Sequence, residues 1–202
     1  MSALFWTAVG FFLGSIPFSY LLGRVIARAD IRLYGDGNPG AINAWRAGGW
    51  RAGVPAVLLD FLKGAVPVAA ARLLAAVSGW GLVPVAIAPV AGHAFSPFLR
   101  LHGGKALAAT FGVWAGLTLG EGPTVLGALF GFFYLLQSSD AWTVVLGMLG
   151  FLGYLLVRGA DAVILVIWGG HFLILGWKQR GELRTGLRPR PFLLRLFGRR
   201  DG

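Results

Sequence analysis

Cysteine is absent from the 202 residues. That excludes disulfides, thiolate nucleophiles and cysteine-ligated metals. Charge is scarce as well: 13% of the chain is Asp, Glu, Lys or Arg, and only 8 residues are acidic. A soluble domain carries about 25% charged residues, and 56% of this chain is hydrophobic. The histidines, His93, His102 and His171, lack ligand spacing with carboxylates, so no metal site is expected. No motif calls for a nucleotide or other organic cofactor. A net charge of +10 would suggest nucleic acid in a soluble protein. Here the basic residues fall in loops and the tail, so the reading is anionic lipid headgroups and membrane topology, with no nucleic-acid partner.

What the chain does have is a succession of apolar runs. Spans are placed at residues 3–22, 53–77, 82–98, 106–119, 124–137, 143–157 and 162–177. Several fall short of the ~20 residues that cross a bilayer as a helix. The 32 glycines suit close packing of membrane helices. The first run has no basic segment before it and no small-residue cleavage site, so it reads as a span and not a removed signal peptide. The expected fold is all-α: a polytopic transmembrane helix bundle of about seven spans. Residues 1–190 form one domain and residues 191–202 a basic tail. The tail string PFLLRLF (191–197) reads either as a short interfacial helix or as a disordered basic segment.

Topology follows from the basic residues. Arg24, Arg28, Arg32, Arg46 and Arg51 follow the first span, Arg100 and Lys105 follow the third, and Lys178, Arg180, Arg184, Arg188, Arg190, Arg195, Arg199 and Arg200 crowd the end. The intervening turns carry only Arg158. By the positive-inside rule the N-terminus is outside, and the basic loops and C-terminus are cytoplasmic. Seven spans satisfy this parity, and so do five.

Two polar islands interrupt the apolar sequence, both on the cytoplasmic side. The first is GDGNPGAINAWR (35–46). Gly35, Gly37 and Gly40 can turn successive N–H groups toward an anion. Asn38 and Asn43 add side-chain donors, and Arg46 can clamp a phosphate through two parallel hydrogen bonds. Read structurally, Asn38–Pro39–Gly40 is ordinary turn punctuation between helices. The second island is GHAFSPFLRLHGGK (92–105). Gly103 and Gly104 lead Lys105 to a helix N-terminus, where unpaired N–H groups favour anions. His93 and Ser96 are further candidates. The plainer readings are a packed helix-end histidine, a solvent-facing His102 and a topological lysine. Within the second span, Asp60 and Lys63 are spaced i,i+3 and share a helix face. They read as a bracing ion pair or as part of a site. Arg72 is expected near a helix end, its head group snorkelling.

The islands, with GSIPFSYLLGR (14–24), DIRLYGDGNPGAINAWR (30–46) and LLDFLKG (58–64), resemble the bacterial acyl-phosphate:glycerol-3-phosphate acyltransferases in order and spacing over the first half of the chain. The resemblance implies a small integral enzyme of the bacterial inner membrane, its site facing the cytoplasm. Such an enzyme transfers an acyl group from acyl phosphate to the 1-hydroxyl of glycerol 3-phosphate, giving lysophosphatidic acid for phospholipid synthesis. It implies catalytic roles for Lys105, Arg46 and His93; Asp36, a carboxylate in the first motif, is a fourth catalytic candidate by its own chemistry. It implies substrate contacts from Gly35, Gly37, Asn38, Gly40, Asn43, Ser96, Gly103 and Gly104, with the acyl chain against apolar helices. Departures accompany it. Asp36 stands where the family has serine, and a carboxylate there repels a phosphate unless it is paired with arginine or works as a base; Ile42 stands where the family has threonine. A glycine is missing after Lys105. His171 is followed by Phe172, Leu173 and Ile174 where the third motif has Arg and Asn, leaving Gly181–Glu182 as a remnant with no role assigned. These departures support a second reading, a non-catalytic or altered-substrate paralogue that binds a phosphorylated lipid precursor. A transporter is a third reading, disfavoured because the polar residues gather on one side instead of lining a midplane path.

Overall fold

A computed structural model describes residues 2–191 of the chain. Among them are eight α-helices and no β-strand: α1 (Ala3–Ser15), α2 (Phe18–Ile26), α3 (Ala41–Leu73), α4 (Leu82–Ala94), α5 (Leu107–Thr118), α6 (Glu121–Leu136), α7 (Asp140–Val157) and α8 (Ala162–Leu183). Five stretches are long and apolar enough to cross a membrane: Ala3–Ile26, Ala41–Leu73, Gly79–Leu99, Asp140–Val157 and Ala162–Leu183. Leu107–Thr118 and Glu121–Leu136 are apolar but shorter. The interfacial-helix reading of residues 191–197 lies almost wholly outside the described residues.

Three of the differences from the expected spans have a clear local reason. The first span is broken. Pro17 has no N–H and pushes Ile16 into an extended conformation (φ −61, ψ 120), so α1 ends and α2 starts afresh. The second begins at Ala41, well before residue 53, because the stretch NAWRA is also helical. Gly48 (φ −133, ψ 16) and Gly49 (φ 62, ψ −157) break its helical geometry, leaving a short arm, 41–47, set off from a long apolar one. Only glycine takes the second of those conformations without strain. The last span continues past residue 177 to Leu183 and carries Lys178 and Glu182 with it.

Small residues bring the helices together. A side chain at Gly14 or Gly92 would strike the facing backbone of α4 or α1, and one at Gly64 or Gly112 that of α5 or α3. α1 therefore packs closely on α4, and α3 on α5. Large side chains fill the other half, where Trp114 is fully buried and meets Phe151 edge-on at 4.8 Å. Arg72 does not snorkel freely. Its guanidinium donates to the Leu117 carbonyl at the end of α5.

Gly112→Leu should force α5 off Phe61 and Ala65 of α3 and lower stability by roughly 1–3 kcal/mol, the usual cost of overpacking. Gly153→Ala, whose new methyl meets nothing within 4 Å, should leave the thermal midpoint in detergent unchanged.

Candidate active site

The starts of α3, α5 and α7 and the ends of α4 and α8 meet at one end of the bundle, enclosing a cavity of about 340 Å³. Its polar lining comes from Asp36, Asn38, Asn43, Arg46, Lys105 and Glu182. Asp60, His93 and Asp140 also face it, and Ile42, Val57, Leu107 and Ala108 supply an apolar wall. Both polar islands therefore contribute to one space.

A buried polar cluster forms its floor. Asp60 and Lys63 pair at 2.8 Å with side chains only 2% exposed. Asp60 also accepts a hydrogen bond from Ser19 Oγ at 2.5 Å, and Lys63 Nζ donates to the Ile16 carbonyl at 2.8 Å. That carbonyl is exposed by the Pro17 break, so the ion pair fastens the α1–α2 corner to α3. Bracing, the first of the two readings from sequence, is what these contacts provide. His93, at the end of α4, is buried, with Nδ1 3.7 Å from Asp60 Oδ1. Ser96 is not brought to the cavity as a free donor. Its hydroxyl is buried and donates to the Ser15 carbonyl at 2.6 Å.

The first island is not the open nest its glycines suggest. Gly37 N–H is spent on the Tyr34 carbonyl and Gly40 N–H on the Asn38 carbonyl. The loop is instead organised around a carboxylate. Asp36 Oδ1 accepts from Asn38 N–H at 3.1 Å and from Asn43 Nδ2 at 2.9 Å. Gly35, in a left-handed conformation (φ 57), leaves room for the Arg46 guanidinium, which donates to Asn43 Oδ1 at 3.1 Å. Upstream, Asp30 caps the turn Ile31–Leu33 and pairs with Arg32, whose guanidinium lies 4.9 Å above the Tyr20 ring.

The second island is similarly committed. Gly104 N–H donates to the His93 carbonyl at 3.2 Å, so it is not free for an anion. Gly103 packs against the same carbonyl so closely that a side chain there would collide with it. Lys178 of α8 donates to the carbonyls of Ala94 at 3.0 Å and Gly103 at 2.7 Å, holding the loop against the end of α4. The loop delivers Lys105 to the cavity. Ala106, at φ 62, turns the chain into α5 immediately afterwards. His102 is exposed and His171 is buried against the Ala86 carbonyl; neither reaches the cavity.

Lys105 is the meeting point. Its ammonium pairs with Asp36 Oδ2 at 2.8 Å and with Glu182 of α8. The Asp36 repulsion expected from sequence is thus answered, by lysine and not by arginine. Sequence reading assigned no role to Glu182 because 77 positions separate it from Lys105. The only available signal was the Gly181–Glu182 remnant. Lys178, read as a topological charge, is the other residue whose role was missed.

Burial works to raise the Asp36 carboxyl, but the hydrogen bond and charge of Lys105, with Asn38 N–H and Asn43, hold it below its ordinary 3.8. Burial works to lower the Lys105 ammonium, and its two carboxylate partners more than offset this, holding it above 10.5. A depressed carboxylate contributes stability that is lost only as pH falls through its folded value. A raised ammonium contributes stability that is lost only as pH rises through its own. The stability deficit of Lys105→Gln relative to the parent should therefore be constant from about pH 5 to about pH 9. It should shrink in acid, below the ordinary carboxylate value of 3.8, and again in alkali, above the ordinary lysine value of 10.5. Thermal unfolding at stepped pH measures this.

Relatives share this architecture along nearly its whole length. The sequence profile of the glycerol-3-phosphate acyltransferase family matches residues 4–188. Glycerol-3-phosphate acyltransferase 1 of Thermotoga maritima is 37% identical over 202 aligned residues, covering 93% of this chain and 99% of its own. The Rubrobacter xylanophilus glycerol-3-phosphate acyltransferase is 34% identical, covering 96% of this chain and 94% of its own. The crystal structure of the integral membrane glycerol 3-phosphate acyltransferase PlsY in its glycerol 3-phosphate form aligns with a TM-score of 0.80 at 29% identity, over 96% of this chain and 98% of that one. Its lysophosphatidic acid form gives 0.77. The chain belongs to the glycerol-3-phosphate acyltransferase family.

Proposed function

We propose that the protein acylates the 1-hydroxyl of glycerol 3-phosphate at the membrane surface, with acyl phosphate as donor and lysophosphatidic acid as product. The observation that carries this reading is the convergence of Arg46, Lys105, His93, Asn38 and Asn43 on one cavity of about 340 Å³. That cavity lies at the ends of helices apolar enough for a membrane. Acyl phosphate is already activated, so no covalent enzyme intermediate is required. The hydroxyl oxygen attacks the acyl carbonyl carbon, the bond from that carbon to the phosphate oxygen breaks, and the hydroxyl proton leaves on the released phosphate. The site's task is alignment and neutralisation of charge. Lys105 and Arg46 are the cations for the two phosphates. Asn38 and Asn43 set the loop beside the glycerol. His93 positions the substrate from the floor, and the wall of Ile42, Val57, Leu107 and Ala108 receives the start of the acyl chain.

Seven crossings are proposed, with α1 and α2 together as the first and α5 and α6 included despite their length. The N-terminus is outside and the C-terminus cytoplasmic. What supports this is charge. Arg24, Arg28, Arg32, Arg46, Arg100, Lys105, Lys178, Arg180, Arg184, Arg188 and Arg190 all belong to the cavity end, while the opposite turns hold Arg158. The membrane is taken to be the bacterial inner membrane. Residues 1–190 are taken as one acyltransferase domain carrying the basic tail.

Asp36 and Glu182 both pair with Lys105, and this favours a second reading, a paralogue with altered substrate or no turnover. Acyl transfer from a long-chain acyl phosphate to labelled glycerol 3-phosphate by the detergent-solubilised protein separates the two. The parent should form lysophosphatidic acid. Lys105→Ala should lose roughly 10²–10³ in kcat/KM, the scale of removing one transition-state charge contact. Arg46→Lys should recover little of the activity lost in Arg46→Ala, since lysine cannot form the paired hydrogen bonds. No product from a folded parent, with an active relative working alongside, moves the assignment to the paralogue.

A further inference from the structure

Asp36 sits as a bound anion would. Its carboxylate takes a backbone N–H from Asn38, an amide N–H from Asn43 and the ammonium of Lys105. These are the donor types that hold a phosphate oxygen. The side chain is 39% exposed and faces the cavity. It is carried on a loop between Gly35 and Gly37, both at positive φ (57 and 73). The other carboxylate on Lys105 is different in kind, because Glu182 projects from the last turn of α8, a helix fixed to the loop by Lys178. One partner of Lys105 is therefore on a glycine-flanked loop and the other on a packed helix. Two carboxylates on one ammonium also leave local excess negative charge, which repels an incoming dianion until one of them withdraws.

Resting on the acyltransferase reading above, we propose that Asp36 is an internal competitor for the phosphate subsite at Lys105. The substrate phosphate enters by displacing the Asp36 carboxylate, while Glu182 keeps the lysine in place. Asp36 is then a specificity-determining residue. It weakens the binding of phosphate in general, and a substrate that gains further contacts elsewhere in the cavity overcomes it. The apparent affinity of any phosphate ligand is lowered by the fraction of time Asp36 occupies the site.

The test uses the full-length protein in detergent, with inorganic phosphate as the probe. The phosphate dissociation constant is read from the concentration dependence of the thermal midpoint, and KM for glycerol 3-phosphate from turnover. In Asp36→Asn, which keeps the shape and removes the charge, both constants should fall about fivefold, the size expected for losing a partly exposed ion pair as competitor. Asp36→Ser carries the same expectation if Asp36→Asn fails to fold. Unchanged or weaker phosphate binding in a folded variant overturns the proposal. So does a loss of kcat with both constants unchanged, which would make Asp36 an acid–base group. Because phosphate binding is measured without turnover, tighter binding in a protein that forms no product upholds the competitor and rejects the acyltransferase.

Discussion

The ion pair between Lys105 and Asp36, completed by Glu182, ties the first island to the Gly103–Gly104 loop and the end of α8, which Lys178 also holds to each other. A lysine only 19% exposed at the rim of an apolar bundle loses much of its hydration, and opposite charge within contact distance restores what burial takes away. The first island, the Gly103–Gly104 loop and the end of α8 are each short and polar. Left alone they would be surface turns. Held to one ammonium, they become the walls of a cavity.

Beneath this rim lies a second pair with a different task. Asp60 and Lys63 are far more deeply buried, and such pairs contribute little net stability compared with apolar replacements. Their value is geometric. The Pro17 break exposes the Ile16 carbonyl, Lys63 takes it, Asp60 takes Ser19, and the corner between α1 and α2 is fixed against α3. The close α1–α4 and α3–α5 contacts through glycine set the helix positions that make these bonds possible. Rigid helices thus place Arg46 and clamp the loop that carries Lys105, while the carboxylate facing that lysine, Asp36, lies on a loop between two glycines.

The all-helical architecture was legible from composition, because apolar runs in a chain with few charges have few alternatives. The two islands were legible as one site because strings of Gly, Asn and Arg stand out from an apolar background. What the glycines do there was less legible. Their N–H groups serve Tyr34, Asn38 and His93 carbonyls, since a tight turn satisfies its own backbone first and only the side chains are left for a ligand. The early start of α3 was hidden by polar residues with no apolar periodicity. Lys178 and Glu182 were hidden because a long helix carries them back to loops some 75 positions earlier, and hydropathy contains no such information.

The most direct measurement is a structure of the protein with glycerol 3-phosphate bound. The account predicts the phosphate about 3 Å from Lys105 Nζ, as in charge-assisted hydrogen bonds. The Asp36 carboxylate should be withdrawn from the lysine and Glu182 should still be in contact. A phosphate seated elsewhere, with the Asp36–Lys105 pair intact, would contradict it.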